Sequence, residues 1–421
     1  MAACNFLYNR HGDEYQYISH QAAALVDRDR SDFGGRAGVR LVRKAKNSDR
    51  AGGRNRAGCH ELNVGVRPEI EAQQSRKMKL QTRELHPGAE HERVVEAVDE
   101  AAGYHAIIAI HSTKLGPAVG GTRVWPYASF DEALTDALRL SRGMSYKAAV
   151  AGLPFGGGKS VIIGDSRRIS RQAVFRAHGR FINQFKGQYM SGEDVGTTPA
   201  DMELVRRETP YVAGLATTSG DPSPFTARGV FRAMLAAVLH RWGSEKLAGR
   251  TVAIQGCGNV GYNLARELEK AGAKLIVADI DAARAARVAG ELEASPVTPD
   301  EIFDADAEIF APCALGGVLN DETIPRLRAA IICGAANNQL AEDRHANAIE
   351  ARGILYVPDY VANAGGLING ARELSRAPLE TKAAIEAIYD TTLKILTIAS
   401  SQKITPAQAA DRLAEERLGR R

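Results

Sequence analysis

The stretch Thr251-Val-Ala-Ile-Gln-Gly-Cys-Gly-Asn-Val-Gly261 decides the fold. Thr251–Gln255 reads as a short buried strand, and a helix is expected from Gly261 to Ala271. Lys274-Leu-Ile-Val-Ala278 reads as the next strand and ends at Asp279, 23 residues after Gly256. Each part of this unit has a physical task. Gly256 allows a tight turn, Gly258 lets the backbone approach a pyrophosphate at the positive end of the helix, and Gly261 lets helix and strand pack closely. Asp279 is placed to accept hydrogen bonds from ribose hydroxyls, and its charge would repel a 2′-phosphate. A GxGxxG pattern alone is weak; strand, helix and acid in the right order make it specific. The expectation is an NAD site, with NAD preferred to NADP, held by Gly256, Gly258, Asn259, Val260, Gly261 and Asp279.

Outward from this unit, a long helix is expected from Thr226 to His240, and short buried strands at Ile309–Ala311, Ala330–Cys333 and Ile354–Val357. Strands alternating with helices predict a parallel, doubly wound sheet. Upstream, Val94, Val95 and Val98 suggest a helix over His91–Ala101, followed by a buried strand at Tyr104–His111. Ser129-Phe-Asp-Glu132 matches a capping box opening a helix through Leu134, Ala137 and Leu138, with Gly143 just past its end. Ser160–Gly164 reads as a strand, and helices are expected up to Phe185, over Pro199–Arg207 and through most of Leu379–Leu418.

The predicted class is therefore α/β with two domains. An N-terminal α/β substrate and oligomerisation domain spans 81–225, a Rossmann NAD-binding domain spans 226–370, and C-terminal helices over 371–421 pack back toward the first domain.

Composition fits a globular chain: 421 residues, 44% hydrophobic and 25% charged. The formal net charge is +4, but residues 1–77 carry 14 basic and 9 acidic side chains, so the remainder is close to neutral. That balance asks for no nucleic-acid or membrane partner. Five cysteines, an odd number without CxxC spacing, argue against a disulfide framework or a cysteine zinc site and suit a reducing cytoplasm. No apolar run approaches the ~18–20 residues of a membrane span. Residues 1–80 read as a disordered or non-native extension, because Asp27–Arg56 is too poor in apolar residues to offset its ordering entropy. A basic nucleic-acid arm is the other reading of that segment. A chain beginning at Met78 is expected to fold and turn over like the full one.

Two lysines and a carboxylate stand out upstream: Lys147, Lys159 and Asp194. Lys159 is flanked by Phe155 and Val161-Ile-Ile163, and a buried ammonium needs a partner or a task. Gly152-Leu-Pro-Phe-Gly-Gly-Gly-Lys-Ser160 looks superficially like a phosphate loop. Leu153 stands where that motif needs glycine, however, and a strand rather than a helix follows the lysine.

From about residue 84 onward the chain resembles the glutamate/leucine/phenylalanine/valine dehydrogenases, and most nearly their leucine branch. The resemblance rests on Leu115-Gly-Pro-Ala-Val-Gly-Gly-Thr-Arg123, Gly143-Met-Ser-Tyr-Lys147, Leu153-Pro-Phe-Gly-Gly-Gly-Lys159, Gly192-Glu-Asp-Val-Gly-Thr-Thr198, Pro222-Ser-Pro-Phe-Thr226, Gly334-Ala-Ala-Asn-Asn-Gln-Leu340 and Pro358-Asp-Tyr-Val-Ala-Asn-Ala-Gly-Gly-Leu-Ile-Asn369. It implies NAD-dependent oxidative deamination of an amino acid by a homo-oligomer.

The same resemblance implies the residue roles. Lys147 holds the substrate carboxylate, Lys159 polarises the reacting oxygen, and Asp194 shuttles protons. Thr226 meets the nicotinamide carboxamide, and Asn338 touches substrate and cofactor together. The three charged groups are expected to shift one another's pKa values toward the working range.

Val119, before Gly120 and Gly121 in the substrate site, occupies a place where glutamate-specific relatives carry lysine, and an apolar side chain cannot stabilise a buried carboxylate. Val119, Met144 and Leu367 would form an apolar wall. Gly370 and Gly192, where the leucine branch carries valine and alanine, would enlarge the pocket. A branched-chain amino acid is the first substrate expected, and phenylalanine or another aromatic the second. An NAD-binding regulator without turnover is the alternative from a different class, and the presence of both lysines and Asp194 weighs against it.

Overall fold

The computed structural model describes residues 80–215, 221–375 and 380–419. The expectations for residues 1–77 lie outside them.

Two sheets organise the described residues. The first has seven strands: β1 (Gln81–Leu85), β2 (Arg93–Asp99), β3 (Tyr104–Ser112), β4 (Ala118–Val119), β5 (Thr122–Trp125), β6 (Gly156–Ile163) and β7 (Tyr189–Met190). The order is β1-β2-β3-β6-β4-β7, with β5 also paired to β6. Pairing is antiparallel from β1 to β6 and parallel where β6 meets β4 and β5 and where β4 meets β7. Helices α1 (Phe130–Val150), α2 (Arg171–Asn183) and α3 (Pro199–Arg206) belong to this half.

The expected helix at His91–Ala101 is the strand β2. Val94 packs with Ile107, Val161, Ala133 and Ala137, whereas Val95 packs with Val174, Phe175 and Ile182. Because the sheet is covered on both faces, apolar residues do not alternate along the strand, and Val94, Val95 and Val98 imitate a helical period.

Helix α1 does not end at Gly143 as expected but continues to Val150. A mid-helix glycine costs about 1 kcal/mol. Burial of Tyr146, Ala149 and Val150 against the C-terminal helices offsets that cost. The helix ends where Arg417 Nη1 donates to the carbonyls of Ala149 and Val150 at 2.6 and 2.7 Å. At its start Ser129 accepts from the Glu132 N–H, while Glu132 reaches the Ala128 N–H rather than that of Ser129.

The second sheet has six strands, all parallel: β8 (Thr251–Gln255), β9 (Lys274–Ala278), β10 (Ser295–Pro296), β11 (Ile309–Pro312), β12 (Ile331–Ile332) and β13 (Leu355–Tyr356). Their order, β10-β9-β8-β11-β12-β13, is 3-2-1-4-5-6 counted from β8, the Rossmann arrangement. Helices α4 (Ser223–Trp242), α5 (Asn259–Lys270), α6 (Ala282–Leu292) and α7 (His345–Ala351) connect and cover it. The chain then forms α8 (Asp359–Ala362), α9 (Gly365–Leu374), α10 (Thr381–Glu386), α11 (Ile388–Gln402) and α12 (Pro406–Arg417). α12 packs on α1 of the first half, joined there by Tyr146 and Val150.

Among the described residues no helix is long and apolar enough to cross a membrane. Nor does any cluster of His, Cys, Asp or Glu among them suit a metal ion.

Candidate active site

Lys159 stands in the middle of β6, 5% exposed, and reaches Asp194 on the loop after β7. Its Nζ lies 2.9 Å from Asp194 Oδ2. Arg123, on β5, places Nε 2.9 Å from the same oxygen. The approach depends on the glycine pair between β4 and β5. A Cβ on Gly120 would lie 1.7 Å from the Gly158 carbonyl oxygen, and one on Gly121 would lie 2.3 Å from that of Glu193 and 3.0 Å from Asp194 Cβ. Only a chain without side chains there lets the Lys159 strand and the Asp194 loop come together. Thr197 fixes the loop: its hydroxyl donates to the Asp194 carbonyl at 2.8 Å and accepts the Asp194 N–H at 2.9 Å.

Lys147, in the last turn of α1, donates from Nζ to Asn363 Oδ1 at 2.7 Å. Asn363 in turn donates to the Ala335 carbonyl at 3.0 Å and to Asn337 Oδ1 at 2.8 Å. Asp359, at the start of α8, accepts the Gln339 N–H at 3.0 Å.

Burial lowers the Lys147 ammonium to about 8, although Asp359 pulls the other way. Burial also lowers Lys159, against the pull of Asp194. For Asp194, burial alone would raise the carboxyl, but Lys159 and Arg123 outweigh it and lower it to about 2. The lysines thus move toward the working range through burial rather than through Asp194, and Asp194 moves away from it, because two cations share one of its oxygens.

The residues expected to form an apolar wall are placed as follows. Val119 is buried in one cluster with Ala148, Phe155, Met190 and Ile368, and Leu367 packs against that cluster. Met144 is half-buried on α1 and stands outside it. A Cβ on Gly370 would have no neighbour within 4 Å, and one on Gly192 would meet only the Ala213 carbonyl oxygen at 3.7 Å.

At the second sheet, Gly256 has φ +101° and donates its N–H to the Ala278 carbonyl at 2.7 Å. A Cβ on Gly261 would stand 1.9 Å from the Gly256 carbonyl oxygen. A Cβ on Gly258 would meet nothing within 4 Å, so that backbone lies open to a groove of about 570 Å³. Cys257, Asn259, Val260, Arg284, Arg287 and Cys313 also line it. Asp279 accepts the Cys257 N–H at 2.7 Å and the Asp281 N–H at 2.8 Å, which ties the acid to the glycine turn. An open backbone at a helix N-terminus, a groove and a carboxylate fit a dinucleotide. Thr226, in the first turn of α4, donates to the Pro222 carbonyl at 3.1 Å. Asn338 is exposed, with φ +52°, on a loop pinned by its carbonyl to the Gly317 N–H at 2.7 Å.

Comparison with known proteins agrees with this geometry. Residues 91–211 match the family described as Glu/Leu/Phe/Val dehydrogenase, dimerisation domain, and residues 219–284 and 277–411 match Glutamate/Leucine/Phenylalanine/Valine dehydrogenase. The chain belongs to the Glu/Leu/Phe/Val dehydrogenase family. It is 53% identical to a leucine dehydrogenase of Geobacillus stearothermophilus over 333 residues, 78% of this chain and 91% of that one. It is 44% identical to a phenylalanine dehydrogenase of Caldalkalibacillus thermarum over 344 residues, covering 79% and 92%. The crystal structure of L-tryptophan dehydrogenase from Nostoc punctiforme superposes with a TM-score of 0.72 at 46% identity, covering 79% of this chain and 96% of that one. The chain is thus an amino-acid dehydrogenase, an oxidoreductase of a family that uses NAD or NADP.

Four charged or polar neighbours of this dehydrogenase site were missed in the sequence: Arg123, Asp136, Asp359 and Asn363. Arg123, Asp359 and Asn363 lie inside the family's motifs, so the signal was present. Which side chain pairs with which depends on strand pairing that one sequence does not display.

Proposed function

We propose that this dehydrogenase oxidatively and reversibly deaminates an apolar L-amino acid, a branched-chain one first, giving the 2-oxo acid and ammonia with NAD. The observation that carries the reading is the buried Lys159–Asp194 pair beside Lys147, next to a wall in which Val119 replaces any cation.

Lys147 would hold the substrate carboxylate, exchanging its bond to Asn363 for a charged partner. Lys159 would face the oxygen of the carbinolamine and of the product carbonyl, stabilising the charge that develops there. Asp194, ionised, would take protons from water and from the amine and return them to the leaving ammonia. As Lys159 turns to that oxygen, Asp194 keeps only Arg123, and its affinity for a proton rises. NAD, when bound, supplies the acceptor for the electrons leaving Cα. Gly256, Gly258, Asn259, Val260, Gly261 and Asp279 would hold it, with Thr226 and Asn338 at the nicotinamide end.

The protein would work as a homo-oligomer, as the dimerisation-domain match supports. A cytoplasmic location belongs to the same reading, since an odd number of cysteines without CxxC spacing suits a reducing compartment. Aromatic amino acids are the second reading, favoured by the open space at Gly370 and by the phenylalanine and tryptophan dehydrogenases among its relatives.

The test is a panel of L-amino acids with NAD⁺ and NADP⁺, followed by nicotinamide absorbance, on wild type, Lys159→Ala and Asp194→Asn. Best turnover with leucine, valine or isoleucine, and variants that bind NADH but barely turn over, are expected. A preference for glutamate, or full activity in either variant, refutes the reading.

A further inference from the structure

Arg123 and Lys159 both contact Oδ2 of Asp194, at 2.9 Å each. The guanidinium does not stop there. Its Nη1 lies 2.9 Å from Asp136 Oδ2 on α1, an oxygen that also accepts the Tyr127 hydroxyl at 2.7 Å. The other Asp136 oxygen accepts from Arg139 at 3.1 Å. Arg123 and Asp136 are both mostly buried, with 20% and 15% of their side chains exposed. The guanidinium is therefore a rigid link between two carboxylates, fixed at its far end by helix α1.

We propose that Arg123 is a positioning residue for the reaction: it clamps Oδ2 of Asp194 so that the remaining oxygen, Oδ1, is presented to substrate and water. This deepens the acid–base role proposed above for Asp194 and rests on it.

The logic is one of division of labour. A carboxylate free to rotate offers either oxygen to Lys159. With Oδ2 held by a second, immobile cation, Lys159 can leave for the substrate oxygen without Asp194 turning after it. Charge is balanced as well. The groups facing Asp194 are Lys159 from β6 and Arg123 from β5, and beyond Arg123 stand Asp136 and Tyr127. Two cations and two carboxylates leave the buried quartet neutral, so Asp194 stays ionised while it waits. Lysine in place of Arg123 supplies charge but not the planar fork that spans both carboxylates.

The experiment compares Arg123→Gln, Arg123→Lys and Asp136→Asn with wild type in the full chain. It measures kcat and KM for the amino acid, the pH profile of kcat/KM, NADH binding and melting temperature. Loss of one of two cations raises the proton affinity of Asp194, so the acid limb of Arg123→Gln is expected to move up by about one pH unit or more. Its kcat should fall roughly 10–100-fold, with KM changed less than about threefold. Arg123→Lys should restore the limb but only part of kcat, and Asp136→Asn, which frees the far end of Arg123 but keeps its charge, should lose part of kcat without the upward move of the limb. Wild-type kcat and limb in Arg123→Gln overturn the proposal. So does an equal loss in all three variants with an unmoved limb, which marks a purely structural role. Asp194→Asn runs alongside: if it is fully active, the role of Asp194 itself fails, and if it is inactive while Arg123→Gln behaves as wild type, only the clamp fails.

Discussion

Lys147 and Asn363 meet at 2.7 Å, the lysine from the last turn of the long helix in the first half of the chain and the asparagine from the turn between α8 and α9. The bond gives a buried ammonium a neutral partner that a substrate carboxylate can replace, with Oδ1 of Asn363 giving up the lysine as its donor. Asn363 keeps its bonds to Ala335 and Asn337 when the lysine turns away.

Lys147→Ala is expected to raise KM for the amino acid and lower kcat/KM about 10–100-fold. A hydrogen bond to a charged group is worth ~1.5–3 kcal/mol, and the bound carboxylate also aligns Cα. Asn363→Ala leaves the charge in place and should raise KM by a smaller factor, roughly threefold to tenfold. Steady-state kinetics on both variants check this; an unchanged KM in Lys147→Ala contradicts the carboxylate role.

The position of Lys147 at about 8 has a definite sign. Burial depresses it, so the charged form that binds a carboxylate is present below about 8 and lost above. Inhibition by a simple apolar carboxylate, which has no amine of its own to titrate, should weaken as pH passes from about 7 through about 9 (roughly tenfold per unit above the pKa). Lys147→Arg should abolish that dependence, since guanidinium stays protonated throughout. A flat inhibition profile in the wild type shows that Lys147 does not set carboxylate affinity.

What the sequence discloses and what it hides follow a physical line. The Rossmann strands Thr251–Gln255 and Lys274–Ala278 are read to the residue, because a strand buried on both faces between glycine-marked turns is a local signal. Strand β2 is misread for the same burial: apolar side chains on both faces erase the alternation. The end of α1 is misplaced because its last two turns are stabilised by Arg417, 267 residues away from Val150, and by packing that no local window contains. At the site, Lys159 is legible as a lysine in an unusually apolar setting, and Lys147 and Asp194 through the family motifs that contain them. Arg123 is not, since arginine on a strand is ordinary until β5 and the loop after β7 come together around Gly121.

Asp279 is held through both oxygens, one by Cys257 of the glycine turn and the other by Asp281, so its substitution has two effects. Asp279→Ser removes the charge that would repel a 2′-phosphate, and the ratio of kcat/KM for NAD⁺ over NADP⁺ should fall by about tenfold or more. It also leaves the Cys257 and Asp281 N–H groups without a charged acceptor, and the melting temperature should drop by a few degrees. Asp279→Asn keeps one acceptor oxygen and should lose less stability while still relaxing the preference. Equal turnover with both cofactors in the wild type, or an unmoved ratio in Asp279→Ser, removes Asp279 from the selection. Arg284 and Arg287, which line the same groove, would then be the groups to vary.

In the proposed pocket Val119 and Gly370 are the positions expected to set substrate charge and size, and the two can be varied separately. Val119 is 8% exposed within the cluster that also holds Met190 and Ile368, so a substrate carboxylate arriving there would be stripped of water with no cation to receive it. Val119→Lys should bring measurable activity with glutamate and reduce that with leucine at least about tenfold, because an unpaired ammonium now faces an apolar side chain. Gly370 offers the opposite control. A Cβ there would be free of neighbours, so Gly370→Val fits without backbone strain and fills space. If that space lies where an aromatic ring would reach, Gly370→Val should cut kcat/KM for phenylalanine and tryptophan by roughly 10–100-fold and leave leucine within a few-fold, since each methylene of fit is worth ~1–3 kcal/mol. Leucine, valine, phenylalanine, tryptophan and glutamate, assayed on wild type and both variants, decide it. Parallel losses for leucine and phenylalanine in Gly370→Val show that the glycine stands outside the size filter. Glutamate turnover already present in wild type removes the role given to Val119.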